Sequence, residues 1–142
     1  MLKNIDPILG PDLLAILRGM GHGDEIAIVD GNFPAASVGP EVVHMTGHDA
    51  TRILDAVLSL MPLDEFVPDP AIRMEVVGAP DQIEPVMQDF QNIISRHEPD
   101  VKLASLERFA FYDRVKGAFA IIASGERRLY GNIILKKGVI RP

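Results

Sequence analysis

The segment Met20–Asp30 holds polar side chains that are able to move protons. Its sequence is MGHGDEIAIVD, and His22 stands between two glycines, which permit sharp turns and leave the imidazole uncovered by neighbouring side chains. Imidazole exchanges protons near neutral pH, so a histidine placed here can act as a general acid or base. The same position also fits an exposed loop histidine without a function.

Asp30 closes this segment and is followed by Gly31-Asn32-Phe33-Pro34. The apolar residues before it indicate a buried strand, and the carboxyl end of a strand is a common place for ligand contacts in α/β proteins. A carboxylate there can accept hydrogen bonds from two hydroxyl groups of a sugar. A turn aspartate that bonds its own backbone is the alternative interpretation.

Arg108 lies in a second polar segment, Glu107–Lys116, with the sequence ERFAFYDRVK. A guanidinium offers five N–H donors in a planar fork, which suits neighbouring hydroxyl groups or a carboxylate. Phe109, Phe111 and Tyr112 surround it, and we interpret these rings as core or interface residues rather than as a platform for a sugar.

A third polar group, Tyr130-Gly131-Asn132, leads into the last apolar run of the chain. A phenol can donate or accept a hydrogen bond, and an amide does both at once. Gly131 allows a ligand to approach the backbone closely. Alternatively, these residues form the entry to a hairpin and satisfy their hydrogen bonds locally.

Helical and strand patterns alternate along the chain, which predicts an α/β layered fold. We predict a single domain over residues 1–142, with a central mixed β-sheet flanked by helices. The predicted helices begin at Pro11, Asp49, Asp81 and Glu107, and the predicted strands cover residues 25–30, 71–77, 102–106, 118–123 and 132–135. A polar turn over residues 124–128 is predicted to join the last two strands.

Local signals support these elements. Pro11 suits the first position of a helix, Gly21 suits a left-handed helix end, and Asp49 suits an N-cap. The strands at 26–29 and 119–123 are apolar throughout, which predicts positions covered on both faces of the sheet.

Composition narrows the classes of function. The net charge of −6 argues against nucleic-acid binding, and no apolar run is long enough for a membrane span. No segment resembling a signal peptide opens the chain, and there is no cysteine, so we expect a cytoplasmic protein. Three histidines (His44, His48 and His97) lack metal-ligand spacing, and no motif indicates a metal or a cofactor.

Taken together, these segments resemble the L-fucose mutarotase family, which is related to the D-ribose pyranases. The shared motifs are MGHGDEI at 20–26, D-x-x-FP at 30–34, RFAFYDR at 108–114, AFAIIASGE at 118–126 and YGNIILKKG at 130–138. The similarity also includes the opening region 2–14 and is weak only over about 68–101. The order and spacing of the motifs carry the resemblance.

The resemblance implies a role for each polar residue. His22 corresponds to the family's proposed proton donor, whereas Asp30, Arg108 and the run Tyr130-Gly131-Asn132 correspond to its substrate-binding residues. We therefore expect catalysis by His22 and Tyr130 and the exchange of the α and β anomers of a free monosaccharide, with L-fucose as the first candidate. The resemblance also implies a ring-like homo-oligomer, possibly a decamer, with active sites that use residues of neighbouring subunits.

One departure concerns the segment GNFPAAS, where many bacterial members carry histidines and this chain has Asn32 and Ala36. It affects the identity of the preferred sugar more than the reaction. Three alternatives stay open at this point: a pyranase that converts pyranose to furanose, a sugar-binding subunit without catalysis, and an aldolase- or isomerase-type enzyme acting on open-chain sugar.

Overall fold

A mixed six-stranded sheet forms the centre of the computed structural model, which describes all residues from Met1 to Pro142. The strands are β1 (Glu25–Val29), β2 (Glu41–Met45), β3 (Ala71–Met74), β4 (Ala104–Leu106), β5 (Ala120–Ser124) and β6 (Ile133–Lys136). Their order in the sheet is β2-β5-β1-β6-β3-β4. Five strands are parallel, and β6 runs antiparallel between β1 and β3. The predicted fold class is confirmed.

Helices cover both faces of the sheet. They are α1 (Pro11–Gly19), α2 (Ala35–Val38), α3 (Ala50–Leu58), α4 (Pro85–His97) and α5 (Arg108–Lys116). The larger core, on the face of Ile26 and Ile28, is formed with α1, α3 and α4. The smaller core, on the face of Ala27 and Val29, is formed with α2 and α5. No helix has both the length and the apolar character needed to cross a bilayer.

Several local predictions are confirmed. Pro11 opens α1, and the side chain of Asp49 accepts a hydrogen bond of 2.7 Å from the backbone N–H of Arg52 at the start of α3. Residues 26–29 of β1 are fully buried, as the apolar pattern predicts. Residues 119–123 were also predicted to be covered on both faces of the sheet. Phe119 departs from that prediction, because it lies outside β5 and is exposed.

Helix α4 begins four residues later than predicted. Glu84 is extended, with ψ of 154°, because the ring of Pro85 disfavours helical geometry in the residue before it. Pro85 then occupies the first turn, where its missing N–H is tolerated. Ile83 consequently lies outside the helix and is exposed rather than part of the apolar stripe.

Strands β5 and β6 are not a hairpin, although a short turn was predicted between them. Strand β1 lies between the two, so residues 125–132 cross the carboxyl end of β1. The backbone N–H of Gly31 donates to the carbonyl of Glu126 at this crossing, with an N–O distance of 2.9 Å. Tyr130, Gly131 and Asn132 therefore lie beside Asp30.

Two further elements and one turn also differ from the sequence prediction. Helix α2 and the edge strand β2 were not predicted, and their apolar residues form no long periodic pattern. Gly21 does not take the left-handed conformation; Gly23 does, with φ of +86°. Helix α1 ends at Gly19, so the left-handed glycine lies in the loop that carries His22.

Candidate active site

A cavity of about 170 Å³ opens where the parallel strands end and β6 begins. It brings together four residues predicted from three separate segments: Asp30, Arg108, Tyr130 and Asn132. The rest of its lining is mostly apolar: Asn32, Phe33, Met74, Val77, Tyr112 and Leu129. The cavity thus offers a carboxylate, a guanidinium and a phenol among apolar walls.

Asp30 is fixed by a two-point contact with Asn132. The Asn132 side-chain oxygen accepts the Asp30 backbone N–H at 2.8 Å, and the Asn132 Nδ2 donates to Asp30 Oδ2 at 3.0 Å. The Asn32 N–H donates to Oδ1 at 2.9 Å. Each carboxylate oxygen of the buried Asp30 keeps acceptor capacity for a ligand hydroxyl. Both polar atoms of the Asn132 side chain form hydrogen bonds with Asp30, so the main role of Asn132 is to orient that carboxylate.

Arg108 contributes a donor without a partner. It is the first residue of α5, where the side chain of Glu107 accepts the N–H groups of Phe109 and Ala110 at 2.8 and 3.2 Å. The guanidinium lies 4.6 Å from the centre of the Phe109 ring. Its Nε is buried and has no hydrogen-bond partner, and it is the only such side-chain atom in the chain. A buried unpaired donor is costly, so this Nε is available to an acceptor atom of a ligand.

Tyr130 is held in a strained backbone conformation with φ of +63°. Its phenol oxygen accepts the N–H of Val77 at 3.2 Å. Because that contact uses an oxygen lone pair, the hydroxyl proton remains free to be donated into the cavity. The geometry therefore equips Tyr130 for proton exchange with a bound hydroxyl group.

The crossing segment that carries Tyr130 is anchored by an ion pair between the buried Glu126 and the partly exposed Arg128. Glu126 is 3% exposed, and its carboxylate accepts three hydrogen bonds of 2.9 to 3.0 Å from the backbone and guanidinium of Arg128. Arg128 also bonds Asp89 of α4 at 2.8 Å. The hydrogen bonds from Arg128 lower the pKa of Glu126, so this carboxylate is ionised at neutral pH.

Gly131 is required by the same anchor. A Cβ at this position would lie 2.6 Å from Cγ of Glu126 and 3.4 Å from Cβ of Asp30. A Cβ would therefore displace the Glu126 side chain, and it would lie in van der Waals contact with Asp30. Gly131 thus allows the crossing segment to lie directly against the end of β1.

His22 is not part of this cavity. It precedes β1, whereas Asp30 follows β1, so the two residues stand at opposite ends of the strand. Five residues of β-strand span about 16 Å, well beyond hydrogen-bond reach. Within one chain, the predicted proton donor and the predicted sugar-binding residues are therefore separate.

At its own end of the sheet, His22 contacts Asp64. Its Nε2 lies 3.0 Å from Oδ1 of Asp64, and its ring packs against Phe66 with 5.5 Å between ring centres. Burial opposes ionisation of Asp64, but hydrogen bonds from the Phe66 N–H and from His22 outweigh it and lower the pKa of Asp64. The His22 side chain is 47% exposed, and its Nδ1 makes no hydrogen bond within the chain.

Sequence reasoning did not single out Asp64, Glu126 or Arg128. Glu126 and Arg128 lie within or beside recognised motifs, and a glutamate that follows an apolar strand and stands two residues before an arginine was a usable signal. Asp64 had none, because its partner is 42 residues away in the chain. A larger cavity, about 550 Å³ between α1 and the C-terminal segment, is lined mainly by apolar side chains together with Arg18 and Lys137, and it contains none of the predicted site residues.

Comparison with known proteins gives one consistent set of similarities. The model of the RbsD / FucU transport protein family matches residues 3–140. A fucose mutarotase of Bos taurus is 46% identical over 148 residues, covering 100% of this chain and 96% of that protein.

Two solved structures are also similar. FucU from Bifidobacterium longum superimposes with a TM-score of 0.93 at 45% identity, covering 98% of this chain and 100% of that one. The fucose mutarotase of Streptococcus pneumoniae in complex with L-fucose superimposes with a TM-score of 0.92 at 43% identity, covering 99% and 100%.

Proposed function

The chain belongs to the RbsD / FucU transport protein family, and from that premise we propose that it is a mutarotase, an isomerase that interconverts the α and β anomers of a free monosaccharide. L-fucose is the proposed substrate, since the similar proteins of Bos taurus and Streptococcus pneumoniae are fucose mutarotases. The observation that carries the proposal is the cavity in which Asp30, Arg108 and Tyr130 converge.

The polar groups of the cavity match what a sugar presents. The Asp30 carboxylate accepts from hydroxyl groups, while the unpartnered Nε of Arg108 donates to a sugar oxygen. The apolar walls, including Met74 and Val77, suit the carbon face of the ring and a methyl substituent. Asn132 and Gly131 serve by holding Asp30 and by admitting the sugar close to the backbone.

Anomer exchange requires the ring to open and close. A general acid protonates the ring oxygen while a base removes the proton of the anomeric hydroxyl; the bond from the anomeric carbon to the ring oxygen breaks and a carbonyl forms. Rotation of the aldehyde and the reverse steps then give the other anomer. We assign the ring-oxygen proton to His22 and the anomeric hydroxyl to Tyr130 or a bound water. When Tyr130 takes the anomeric proton, its oxygen accepts that proton while its own hydroxyl proton passes to solvent water. Each of these proton transfers contributes roughly 10²–10⁴-fold.

This assignment needs His22 of another copy, because the His22 of the same chain is at the far end of β1. We propose that the protein forms a ring-like homo-oligomer, possibly a decamer, in which His22 of one subunit completes the cavity of its neighbour. The exposed rings of Phe66, beside His22, and of Phe109, beside Arg108, support this proposal, since exposed aromatic groups at both ends of the sheet are typical of contact surfaces. A cytoplasmic location is also proposed, in keeping with a chain that has no cysteine.

The test is NMR saturation transfer between the α and β anomeric protons of L-fucose, D-ribose and D-galactose. We expect enzyme-dependent exchange that is fastest for L-fucose. Binding without accelerated exchange would instead indicate a sugar-binding subunit, and pyranose–furanose exchange of ribose faster than anomer exchange of fucose would indicate a pyranase. His22→Ala is expected to lose exchange while the variant keeps its binding of sugar.

A further inference from the structure

Asp64 is a buried carboxylate that the proposed mechanism does not use. It is 3% exposed and lies at the end of the sheet opposite the sugar cavity. Its Oδ1 accepts the Phe66 N–H at 3.1 Å as well as contacting Nε2 of His22. This buried carboxylate contacts one ring nitrogen of the half-exposed His22. The contact restricts the orientation of the imidazole ring.

Both partners of this contact are attached to the same short piece of chain. The backbone N–H of Asp64 donates to the carbonyl of Lys136 at 3.0 Å, and the N–H of Gly23 donates to the carbonyl of Lys137 at 2.8 Å. The loop that carries His22 is closed by a 2.7 Å bond from the Gly21 N–H to the Asp24 carboxylate. The position of the imidazole relative to Asp64 is therefore set by the end of β6.

We propose that Asp64 is a positioning residue that holds the proton of neutral His22 on Nε2 and so leaves Nδ1 as the nitrogen that exchanges a proton with the sugar. The proposal rests on the proposed role of His22 as proton donor. An ionised carboxylate only accepts hydrogen bonds, so the Nε2 facing Asp64 must be the donor. The low pKa of Asp64 keeps it ionised, and the proton stays on Nε2 throughout.

The consequence for the reaction is a defined route for one proton. Protonated His22 donates its Nδ1–H to the ring oxygen, the bond from that oxygen to the anomeric carbon breaks, and His22 is left neutral with Nε2–H. In ring closure the oxygen attacks the aldehyde and returns its proton to Nδ1. Asp64 stabilises the cation at the start and the correct tautomer afterwards, as a carboxylate behind a histidine does in other acid–base sites.

Other charged groups near His22 have different partners. Glu65 pairs with Arg141 at 2.6 Å, and the Arg141 guanidinium lies over the Phe66 ring. Lys136 pairs with Glu25 at 3.0 Å, and Asp24 holds the Gly21 N–H. Asp64 is the one carboxylate that contacts the imidazole.

The test combines ¹⁵N NMR of the histidine ring with exchange kinetics. In protein labelled at its four histidines, with the His22 signals assigned from a His22→Ala sample, neutral His22 should show a protonated Nε2 and an unprotonated Nδ1. In Asp64→Asn, an amide that can donate to Nε2 replaces the acceptor. We expect the tautomer population to shift towards Nδ1–H and exchange to slow by about tenfold or more, with KM within about twofold.

Glu65→Gln is the matched control, because it removes the same charge from the adjacent position without touching His22. It should keep the tautomer and the rate of wild type. Wild-type His22 protonated on Nδ1, or an Asp64→Asn variant with unchanged tautomer and rate, would overturn the role of Asp64. If Asp64→Asn does not fold, the wild-type spectrum alone decides between the two tautomers.

The same series separates this inference from the proposed function. Full exchange activity in His22→Ala would remove the proposed proton donor and the role of Asp64 with it. Loss of exchange in His22→Ala, beside a fully active Asp64→Asn, would remove only the role of Asp64.

Discussion

Arg108 is the residue with the clearest unused binding group, because its buried Nε has no hydrogen-bond partner in the chain. Replacement by lysine keeps the charge but removes the planar fork and the Nε donor. We expect KM for L-fucose to rise by roughly tenfold, as for the loss of a hydrogen bond to a charged group, with a smaller change in kcat. Exchange rates measured over a range of fucose concentrations separate the two parameters.

Arg127→Lys is the control for that experiment, because Arg127 is an exposed neighbour of Arg128 that does not line the cavity. It should leave KM unchanged. Equal KM values for Arg108→Lys and Arg127→Lys would mean that the guanidinium of Arg108 does not hold the sugar.

Tyr130 gives a second prediction, about the proton of the anomeric hydroxyl. Tyr130→Phe keeps the aromatic ring and removes the hydroxyl group. That hydroxyl faces the cavity, and its oxygen accepts a hydrogen bond from the Val77 N–H. We expect kcat for anomer exchange to fall by about 10²-fold, with binding of fucose largely kept. Saturation transfer gives the rate and calorimetric titration gives the affinity. An unchanged rate would assign the anomeric proton to a different group.

Residue types made Asp30, Arg108 and Tyr130 candidates, because each stands where an element begins or ends and carries a group that binds hydroxyls, and the family resemblance supplied the role of each. They could not show that Asn132 mainly orients Asp30, since that contact joins residues 102 apart in the chain. The partnership of His22 with Asp64 was hidden for the same reason. Contacts between distant segments depend on the order of the strands, which local patterns do not determine.

At the scale of elements, the crossing segment over β1 yields a prediction about pH. Because hydrogen bonds from Arg128 hold the pKa of Glu126 below its ordinary value of 4.5, ionised Glu126 stabilises the fold above about pH 4.5. That contribution is lost as the pH falls through the lowered pKa. Glu126→Gln should therefore be less stable than wild type at pH 7, and the difference should shrink as the pH falls below 4.5.

Urea unfolding at a fixed protein concentration, repeated between pH 7 and pH 3, measures that difference. Glu41→Gln is the control, since Glu41 is exposed on the edge strand β2 and forms no ion pair. A difference between wild type and Glu126→Gln that is constant or grows on acidification would contradict the assignment of Glu126.

Elements whose position depends on neighbouring residues in the sequence were predictable. Features that depend on residues far apart in the chain were not. The cap of Asp49 and the apolar stripe of α3 lie within one stretch of sequence, so α3 was found. The start of α4 was missed because the effect of Pro85 on Glu84 outweighed the apolar periodicity that includes Ile83. The crossing between β5 and β6 was read as a turn, since nothing local indicates that β1 inserts between them.

At the scale of the whole molecule, the main finding is the separation of His22 from the sugar cavity along β1. A single chain places the proposed donor beside Asp64 and the proposed binding groups beside Asp30. The proposed mechanism therefore requires an assembly, and wild-type protein should sediment as a species well above the 15.5 kDa of one chain. A monomer with full exchange activity would contradict it.

The most direct test of the central claim, anomer exchange in a site shared by two copies, uses two inactive variants together. His22→Ala and Asp30→Asn carry different affinity tags, are produced in one cell and are purified through both tags, and saturation transfer on L-fucose then gives the exchange rate. With random assembly, about a quarter of the shared sites contain both native residues, so we predict about a quarter of wild-type activity, although each variant alone is inactive. Mixed assemblies as inactive as the separate variants would show that His22 and Asp30 do not act together across two copies.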